Sequence, residues 1–457
     1  MSSDADYVHQ LAGVEDVHGF VKRVCFKTGP PGTVGLEAEW FVVDPEQPRR
    51  TVRLDEVRSA LAGVTPPRGS LLTYEPGGQL ELSSAAAPDL PSVCRDLAAD
   101  VAVVRAAIAD VGLTLLGQGS DPLRPPRIQS HGPRYTAMRT FFAAHHSSGG
   151  DLPTASRPGG EQSPPVPEAS PGEAMMSATA ALQVCLDAGS DAADVSRRWH
   201  LSNALAPVLL ATFANSPWRN GVRTGFASSR AAVWSAIDPG RTAAPQGADP
   251  AEAWAQYALA ARVMLVRTPD GPWLADPGFT FADWVSGRTS LPRPTTDDLA
   301  YHLTTLFPPV RPRGWFEIRY LDALPDGLWQ VAAAVTTALV EDRAIAEAAA
   351  ETAESVAGLQ EVAMRCAVAD QRLRRAAVRA LELACDALPR LGAAAAVPAV
   401  ERFADTYTLR GRCPADDLVA TDDLPAPLTA EAGRDHEIGE RHTAVRRGPA
   451  PLWPAPT

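Results

Sequence analysis

Pairs of glutamates in short apolar segments are the residues of this sequence best suited to chemistry. The segment "GLEAEWF" holds Glu37 and Glu39, and "LTYEPGGQLELSS" holds Glu75 and Glu81. Both segments have the alternation of a β-strand, on which side chains two residues apart share a face and stand roughly 6.5 to 7 Å from each other. The spacing therefore predicts that Glu37 and Glu39 point the same way, and that Glu81 shares a face with Gln79 and Ser83.

A third segment, "FEIRYL", places Glu317 and Arg319 on one face of a strand in the same manner. If the three segments belong to one sheet, one face of that sheet gathers five acids, Glu37, Glu39, Glu75, Glu81 and Glu317. Clustered carboxylates repel and burial raises their pKa values unless a cation compensates. Magnesium is a natural counter-charge because hard divalent cations bind oxygen and bridge carboxylates to phosphates. The alternative is a one-sided antiparallel sheet whose polar face is solvated.

The elements that must position these acids follow from the apolar periodicity and from Gly and Pro breaks. Strands are predicted at 33–44, 112–122, 175–187 and 314–326, with a hairpin or kinked strand at 69–84. Helices are predicted at 89–112, where a glycine ends the helix, and at 196–217, where Pro207 should introduce a kink. Ala-rich helices are predicted over 328–397.

Composition excludes several classes of function. Of 457 residues, 45% are hydrophobic and 21% charged, and no run of about 18 apolar residues suggests a membrane span. A net charge of -12 argues against nucleic acid as a partner. Lys22 and Lys27 are the two lysines and neither lies in a P-loop motif, so Arg, backbone amides or metal would have to bind a nucleotide phosphate.

The remaining features concern location and domain organisation. The N-terminus lacks the pattern of a secretory signal, so a cytoplasmic location is expected, and six widely spaced cysteines indicate free thiols. We predict a single catalytic domain over 1–425 with a Pro-rich insertion at 151–173. A poorly ordered tail is predicted at 426–457.

Seven stretches of the chain together resemble the plant and bacterial glutamate-cysteine ligases. They occur in family order between about 33 and 326: "GLEAEWF", "EPGGQLELSS", "RYTAMRTFF", "MMSATAALQVCLD", "ATFANSP", "SSRAAVWSAIDPGRT" and "WFEIRYLDA". The greatest likeness is to the actinobacterial enzymes of ergothioneine biosynthesis. The resemblance implies an α+β, glutamine-synthetase-like catalytic fold, in which a curved antiparallel sheet flanked by helices forms a funnel for ATP, magnesium and glutamate.

The resemblance also implies a reaction and roles for particular residues. ATP would phosphorylate the γ-carboxylate of glutamate, and the amine of cysteine would displace the phosphate to give γ-glutamylcysteine. The metal-binding acids of the family match Glu37, Glu39, Glu75, Glu81 and Glu317. Its substrate-binding positions match Arg134, Tyr135, Arg230, Trp234 and Arg241, and a nucleotide or metal contact matches Gln183. Arg319, beside Glu317, would stabilise charge on the transferring phosphoryl group.

Two alternatives remain open at the level of sequence. The same γ-glutamyl phosphate chemistry could serve a different acceptor amine, because no distinctive motif marks a cysteine pocket. A metal-dependent hydrolase of γ-glutamyl amides, or a binding protein without turnover, would use the same acids. The sequence leaves the oligomeric state and the number of metal ions undetermined.

Overall fold

The computed structural model describes residues 8–29, 32–145, 169–268 and 272–419. Most of the predicted insertion at 151–173 and the whole predicted tail at 426–457 therefore lie outside the described residues. Two strand pairs, β6 with β7 and β8 with β9, stand apart from the main sheet. The strands are β1 Val34–Val43, β2 Leu71–Tyr74, β3 Leu80–Ser83, β4 Thr114–Leu116, β5 Ala181–Asp187, β6 Trp218–Arg219, β7 Val222–Arg223, β8 Leu265–Val266, β9 Leu274–Ala275, β10 Val310–Pro312 and β11 Trp315–Asp322.

Helices make up most of the remaining structure. A π-helical turn at Val21–Cys25 and 3₁₀ turns at Ala367–Ala369, Ala394–Ala396 and Thr408–Arg410 lie between or beside them. The α-helices are α1 Val14–Phe20, α2 Leu54–Ala60, α3 Leu90–Ala109, α4 Pro133–His145, α5 Pro171–Ala178, α6 Ala192–Ala204, α7 Ala206–Phe213, α8 Ser229–Ser235, α9 Pro239–Thr242, α10 Pro250–Ala260, α11 Phe281–Val285, α12 Thr296–Leu303, α13 Leu328–Glu341, α14 Ala346–Glu354, α15 Gln360–Cys366, α16 Gln371–Ala387, α17 Val397–Thr406 and α18 Pro414–Leu418.

The main sheet is antiparallel throughout and has the strand order β10-β11-β5-β1-β3-β2, with β4 paired to the far end of β1. One face of the sheet is apolar and fully covered, and its residues include Leu36, Leu82, Val184 and Ile318. Helices α7 and α13 pack against β11 and β5. This α+β architecture, an antiparallel sheet with flanking helices, confirms the predicted fold class.

Two helix predictions show how the sequence fixes local structure. The predicted helix at 89–112 is α3, and Asp89 caps its N-terminus by accepting a hydrogen bond from the amide of Ser92 at 2.7 Å. The predicted kink at Pro207 is a break between α6 and α7. The proline lies in the first turn of α7, where a backbone N–H would have no intrahelical hydrogen-bond partner, so its absence loses no hydrogen bond.

One strand prediction is partly wrong. Of the predicted strand at 175–187, the first part belongs to helix α5, and the strand β5 begins at Ala181. Ser170 caps α5 by accepting a hydrogen bond from the amide of Glu173 at 3.2 Å, and Pro171 follows at the first helical position. These capping residues outweigh the apolar run "AMMSA", which by itself is compatible with either element.

Candidate active site

The register of the sheet places the predicted acids on one face. Glu37 of β1 lies opposite Ser83 of β3 on one side and Gln183 of β5 on the other. Glu39 lies directly opposite Glu81. Because directly opposed residues of antiparallel strands project from the same face, the acids of β1 and β3 share that face with Gln183.

A tight hairpin turn brings Glu75 to the same region. The amide of Glu75 donates to the carbonyl of Gln79 at 2.8 Å, which closes the turn between β2 and β3. Gly78 has a φ of +91°, a conformation that favours glycine. A Cβ at Gly77 would lie 2.3 Å from the carbonyl oxygen of Ser177, so glycine is also required there for the turn to approach α5.

These acids line a cavity of about 490 Å³, here called the acid cavity. Its floor is formed by Glu37, Glu39, Glu75 and Glu81, and Gln183 lies among them. Arginines and aromatic and sulfur-containing side chains form the walls: Arg134, Tyr135, Met138, Met175, Met176, Trp234, Phe307, Arg311, Arg313, Trp315 and Arg319. The cavity therefore combines carboxylates with guanidiniums in one chamber.

The electrostatics of the floor are unfavourable for its carboxylates. Burial, and then the nearby charges of Glu317 and Glu81, raise the pKa of Glu37 to about 7. Burial and the charge of Glu81 likewise raise the pKa of Glu75 to about 7. The pKa of Glu39 is raised well above its ordinary value by burial and by Glu75, although the amide of Ala181 donates to it at 2.9 Å.

Glu317 occupies a different environment at the edge of the same face. Its carboxylate is 0% exposed and accepts hydrogen bonds from Arg311 at 2.8 Å, from Arg313 at 3.3 Å and from Arg319. These guanidiniums overcome the effect of burial and lower the pKa of Glu317 to about 2. Arg319 also donates to the side-chain oxygen of Gln183 at 2.6 Å, which links this corner to the floor.

The predicted substrate-binding residues fall into three places. Arg134 and Tyr135, at the start of α4, line the acid cavity, and Arg134 is anchored by donating to the hydroxyl and the carbonyl of Thr304, both at 3.0 Å. Burial and the charge of Glu75 raise the pKa of Tyr135 to about 12, so its hydroxyl is protonated at neutral pH.

Trp234 forms a partition between the acid cavity and a second chamber. This second chamber, here called the apolar cavity, has a volume of about 500 Å³, and its lining includes several Ala and Pro side chains with polar side chains among them. Trp234, Phe307 and Arg319 border both cavities, whereas Arg230 lines only the apolar cavity. The indole of Trp234 lies 5.5 Å from the guanidinium carbon of Arg230 and 5.7 Å from that of Arg319.

Arg241, the fifth predicted substrate-binding residue, lines neither cavity. Its side chain is 0% exposed, donates to the carbonyl of Thr305 at 3.0 Å and to that of Arg262, and lies 4.4 Å from the ring of Phe141. Phe141 belongs to the apolar cluster that holds Met138 and Met175 against the acid cavity. In this structure Arg241 supports that wall from behind.

The carboxylate oxygens of the floor are donor atoms that suit a magnesium ion. Across the described ranges, no group of three or more His, Cys, Asp or Glu side chains is arranged to hold a metal ion. Magnesium, however, usually keeps several waters and binds through one or two carboxylates plus the phosphates of its substrate. The mutual repulsion of Glu37, Glu39, Glu75 and Glu81 therefore fits a magnesium–phosphate site better than a preformed metal cage.

Two arginines of the site were not predicted. Arg311 of β10 lies opposite Glu317 in the register, and Arg313 follows two residues later in the turn to β11. The alternation in "VRPRGWFE", with a glycine at the turn, is the signal that places both on the face of Glu317.

None of the helices in the described part of the chain is long and apolar enough to cross a membrane.

Known proteins provide an independent comparison. Residues 33–445 match the model of "Glutamate-cysteine ligase family 2(GCS2)". A protein of Mycobacterium tuberculosis named glutamate–cysteine ligase EgtA is 41% identical over 407 residues, which cover 87% of this chain and 88% of the relative. The chloroplastic glutamate–cysteine ligase of Brassica juncea is 32% identical over 263 residues, 56% of this chain and 46% of the relative.

A comparison with solved structures gives a weaker likeness. The complex of the prokaryotic ubiquitin-like protein Pup and its ligase PafA aligns over 91% of this chain and 69% of the other, with 12% identity and a TM-score of 0.33. Similarity at that level does not establish a shared fold or function. The family match and the extent of the mycobacterial similarity show that this chain belongs to glutamate-cysteine ligase family 2.

Proposed function

We propose that this protein is an ATP-dependent ligase that joins the γ-carboxylate of glutamate to the amine of cysteine through a γ-glutamyl phosphate, forming γ-glutamylcysteine. The observation that carries the proposal is the acid cavity, where four mutually repelling glutamates and several arginines face one chamber. Carboxylates suit the magnesium that accompanies ATP, and guanidiniums suit phosphate and carboxylate groups. Membership of the family supports the same reaction.

The acids of the floor are proposed to hold magnesium. Glu37, Glu39, Glu75 and Glu81 would supply carboxylate oxygens, with Gln183 as a neutral neighbour. A bound magnesium ion would offset the repulsion between these carboxylates and neutralise charge on the phosphate oxygens of ATP. Glu317, the fifth predicted metal ligand, does not line the acid cavity, and its carboxylate is bound by Arg311 and Arg313, which do line it.

Arg319 is proposed to stabilise charge on the transferring phosphoryl group. The charge of Glu317 and other nearby acids raises the pKa of Arg319 despite its burial, so the guanidinium stays charged throughout. Its contacts with Gln183 and Glu317 fix its orientation before substrate binds. Such preorganised donors account for a large share of the rate in reactions that develop negative charge.

The amino-acid substrates are proposed to bind between the floor and the walls. Arg134 and Tyr135 offer a guanidinium and a protonated hydroxyl to a carboxylate. Trp234 would shield the reacting carbonyl from water, and Arg230 lies behind it. Arg241 would contribute indirectly, because it supports the wall through Phe141.

A coupled assay of ADP release with mass detection of the dipeptide tests this function. We expect release that needs magnesium, glutamate and cysteine together, and a product with the mass of γ-glutamylcysteine. Phosphate release that does not depend on the amine would contradict the proposal.

A ligase with a different acceptor amine is the second candidate, because the apolar cavity and the acid cavity contain no residue that is specific for a thiol. A panel of amino acids offered as acceptors would show that function as faster turnover with another amine. Hydrolysis of γ-glutamyl amides without ATP would instead identify a hydrolase. We infer that the product serves ergothioneine biosynthesis, as the resemblance implies, and the cytoplasmic location stays a prediction.

A further inference from the structure

A buried carboxylate that the proposed chemistry does not use lies at the end of the strand that carries Arg319. Asp322, the last residue of β11, is 1% exposed. It accepts hydrogen bonds from the amide of Asn215 at 2.8 Å, from the hydroxyl of Ser216 at 2.7 Å and from the hydroxyl of Ser228 at 2.9 Å. Burying a carboxylate is costly, and these three donors offset the cost.

The residues bound by Asp322 hold the first turn of helix α8. Ser228 is the N-cap of α8 and accepts from the amide of Ala231 at 3.2 Å. Ser216 accepts from the amide of Arg230 at 3.2 Å, and its carbonyl accepts from the hydroxyl of Ser229 at 2.6 Å. The end of β11 is thus tied to the start of the helix that carries Arg230 and Trp234.

Asp322 also faces the charge of Arg230. This arginine is 4% exposed, and burial lowers its pKa. The charge of Asp322 opposes this effect more strongly than the charge of Glu39 does. One terminal nitrogen of Arg230 donates to the carbonyl of Arg319 at 2.8 Å. Its Nε and the indole nitrogen of Trp234 are buried without a hydrogen-bond partner among the described residues, so neither N–H group is satisfied within the described fold.

The carboxylate of Asp322 is closely packed against the backbone on one side. A Cβ at Gly119 would lie 2.4 Å from the carboxyl carbon of Asp322, so the loop after β4 already touches it. The place of the carboxylate is therefore fixed by backbone on one side and by three donors on the other.

We propose that Asp322 is a positioning residue for glutamate binding: it sets Arg230 and Trp234 of α8 against Arg319 at the partition between the two cavities. This proposal rests on the proposed ligase function. Glutamate is the relevant substrate because it carries two carboxylates, and two guanidiniums flank the indole at the partition between the cavities.

Asp322→Asn tests the proposal, because the amide keeps the volume but removes the charge and one acceptor. We expect the KM for glutamate to rise about tenfold, with the KM for magnesium–ATP changed less than about twofold. In the Arg230→Gln background, the same substitution should change the glutamate KM less than about twofold, because Asp322 acts through Arg230.

Asp194→Asn is the matched control. Asp194 is a buried carboxylate of α6 that binds Arg198 at 3.0 Å and lines neither cavity, so its loss should lower the unfolding temperature without changing the glutamate KM. If Asp322→Asn does not fold, Ser228→Ala removes a single donor to the carboxylate and should raise the same KM to a smaller extent.

Two results would overturn the proposal. One is an Asp322→Asn protein, folded and less stable, whose glutamate KM equals that of the wild type. The other is an equal effect of Asp322→Asn in the wild-type and Arg230→Gln backgrounds. Failure of the proposed function is distinct, because the wild-type protein itself would then show no ADP release that depends on glutamate.

Discussion

The floor of the acid cavity and the corner around Glu317 place carboxylates on the same face of one sheet, yet in opposite electrostatic states. On the floor, burial and neighbouring acids raise the pKa values of Glu37 and Glu75 to about 7. At the corner, Arg311, Arg319 and Arg313 lower the pKa of Glu317 to about 2. Three arginines neutralise Glu317, whereas the arginines described near the floor do not offset the effects of burial and repulsion on Glu37 and Glu75.

This difference indicates that the two groups of carboxylates have different roles. A buried carboxylate that is compensated within the fold, as that of Glu317 is, avoids the loss of stability that an uncompensated buried charge causes. Carboxylates left to repel one another are typical of a functional site that a ligand completes. The comparison predicts opposite effects when acids of the two regions are neutralised.

The largest effect is expected for Glu39→Gln on the floor. Removing this charge should lower the rate of ADP release by roughly 10²- to 10³-fold, because one of the groups that organise the charged reactants is lost. The free energy of unfolding should not fall, since a repulsive charge has been removed. Glu347→Gln, on the exposed face of α14, is the control. A Glu39→Gln enzyme with the wild-type rate would contradict a functional role for the floor carboxylates.

Glu317→Gln should act mainly on stability. Three guanidiniums would lose their shared carboxylate, so we expect the free energy of unfolding to fall by about 3 kcal/mol, measured by urea denaturation. Glu37→Gln, on the same face, is the matched variant and should leave stability unchanged or higher. Equal destabilisation by the two substitutions would show that the floor is also compensated within the fold.

The stability of the metal-free protein should depend on pH. The pKa values of Glu37 and Glu75 are raised in the folded state, so the folded protein binds more protons than the unfolded chain between their ordinary value and about 7. Their contribution to stability is therefore present at low pH and lost as pH rises through about 7. Without magnesium, the unfolding temperature should decrease mainly between about pH 4.5 and about pH 7 and change little above that range.

Magnesium with ATP should restore the unfolding temperature at the higher pH, because a ligand of the folded state stabilises it. The Glu37→Gln, Glu75→Gln double variant is the control and should show a flatter dependence on pH in the metal-free state. An identical pH dependence in the double variant would assign the effect to other groups.

Gly78→Ala should give the smallest effect and tests how the hairpin places Glu75. We expect the free energy of unfolding to fall by about 1 to 2 kcal/mol, because φ is +91° and the new Cβ would lie 2.7 Å from the side-chain nitrogen Nε2 of Gln129. Gly69→Ala is the matched control, since φ is +85° there with nothing within 4 Å. Activity should decrease further for Gly78→Ala than for Gly69→Ala, and equal losses would count against a role for the turn.

The strands of the site could be predicted because their acidic and apolar side chains alternate with a period of two residues. Glu37 and Glu39 alternate with buried Leu36, Ala38 and Trp40, so a local pattern sufficed to place both acids on one face. The pairing of Glu39 with Glu81 was not predicted, because the pattern indicates only a shared face if the segments belong to one sheet. The register itself depends on turn geometry and tertiary packing, which the sequence pattern does not specify.

Other parts of the site depend on contacts between distant residues. Arg241 matches a substrate-binding position by resemblance, but its partners Thr305 and Arg262 fix it behind the wall. The single domain predicted for 1–425 stays a prediction, as do the chemical roles of the individual site residues. The part of helix α5 from 175 onwards was predicted as a strand because an apolar run is compatible with either element. The cap, Ser170, and the proline that follows it specify the helix instead.

Binding of Mn²⁺, a paramagnetic substitute for magnesium, measured by electron paramagnetic resonance with a non-hydrolysable ATP analogue, tests the role of the floor most directly. We predict that the wild-type protein binds the ion in the presence of the analogue. The Glu39→Gln, Glu81→Gln double variant should be folded and bind it at least about tenfold more weakly. Equal binding by the two proteins would contradict the assignment of the floor carboxylates to the metal.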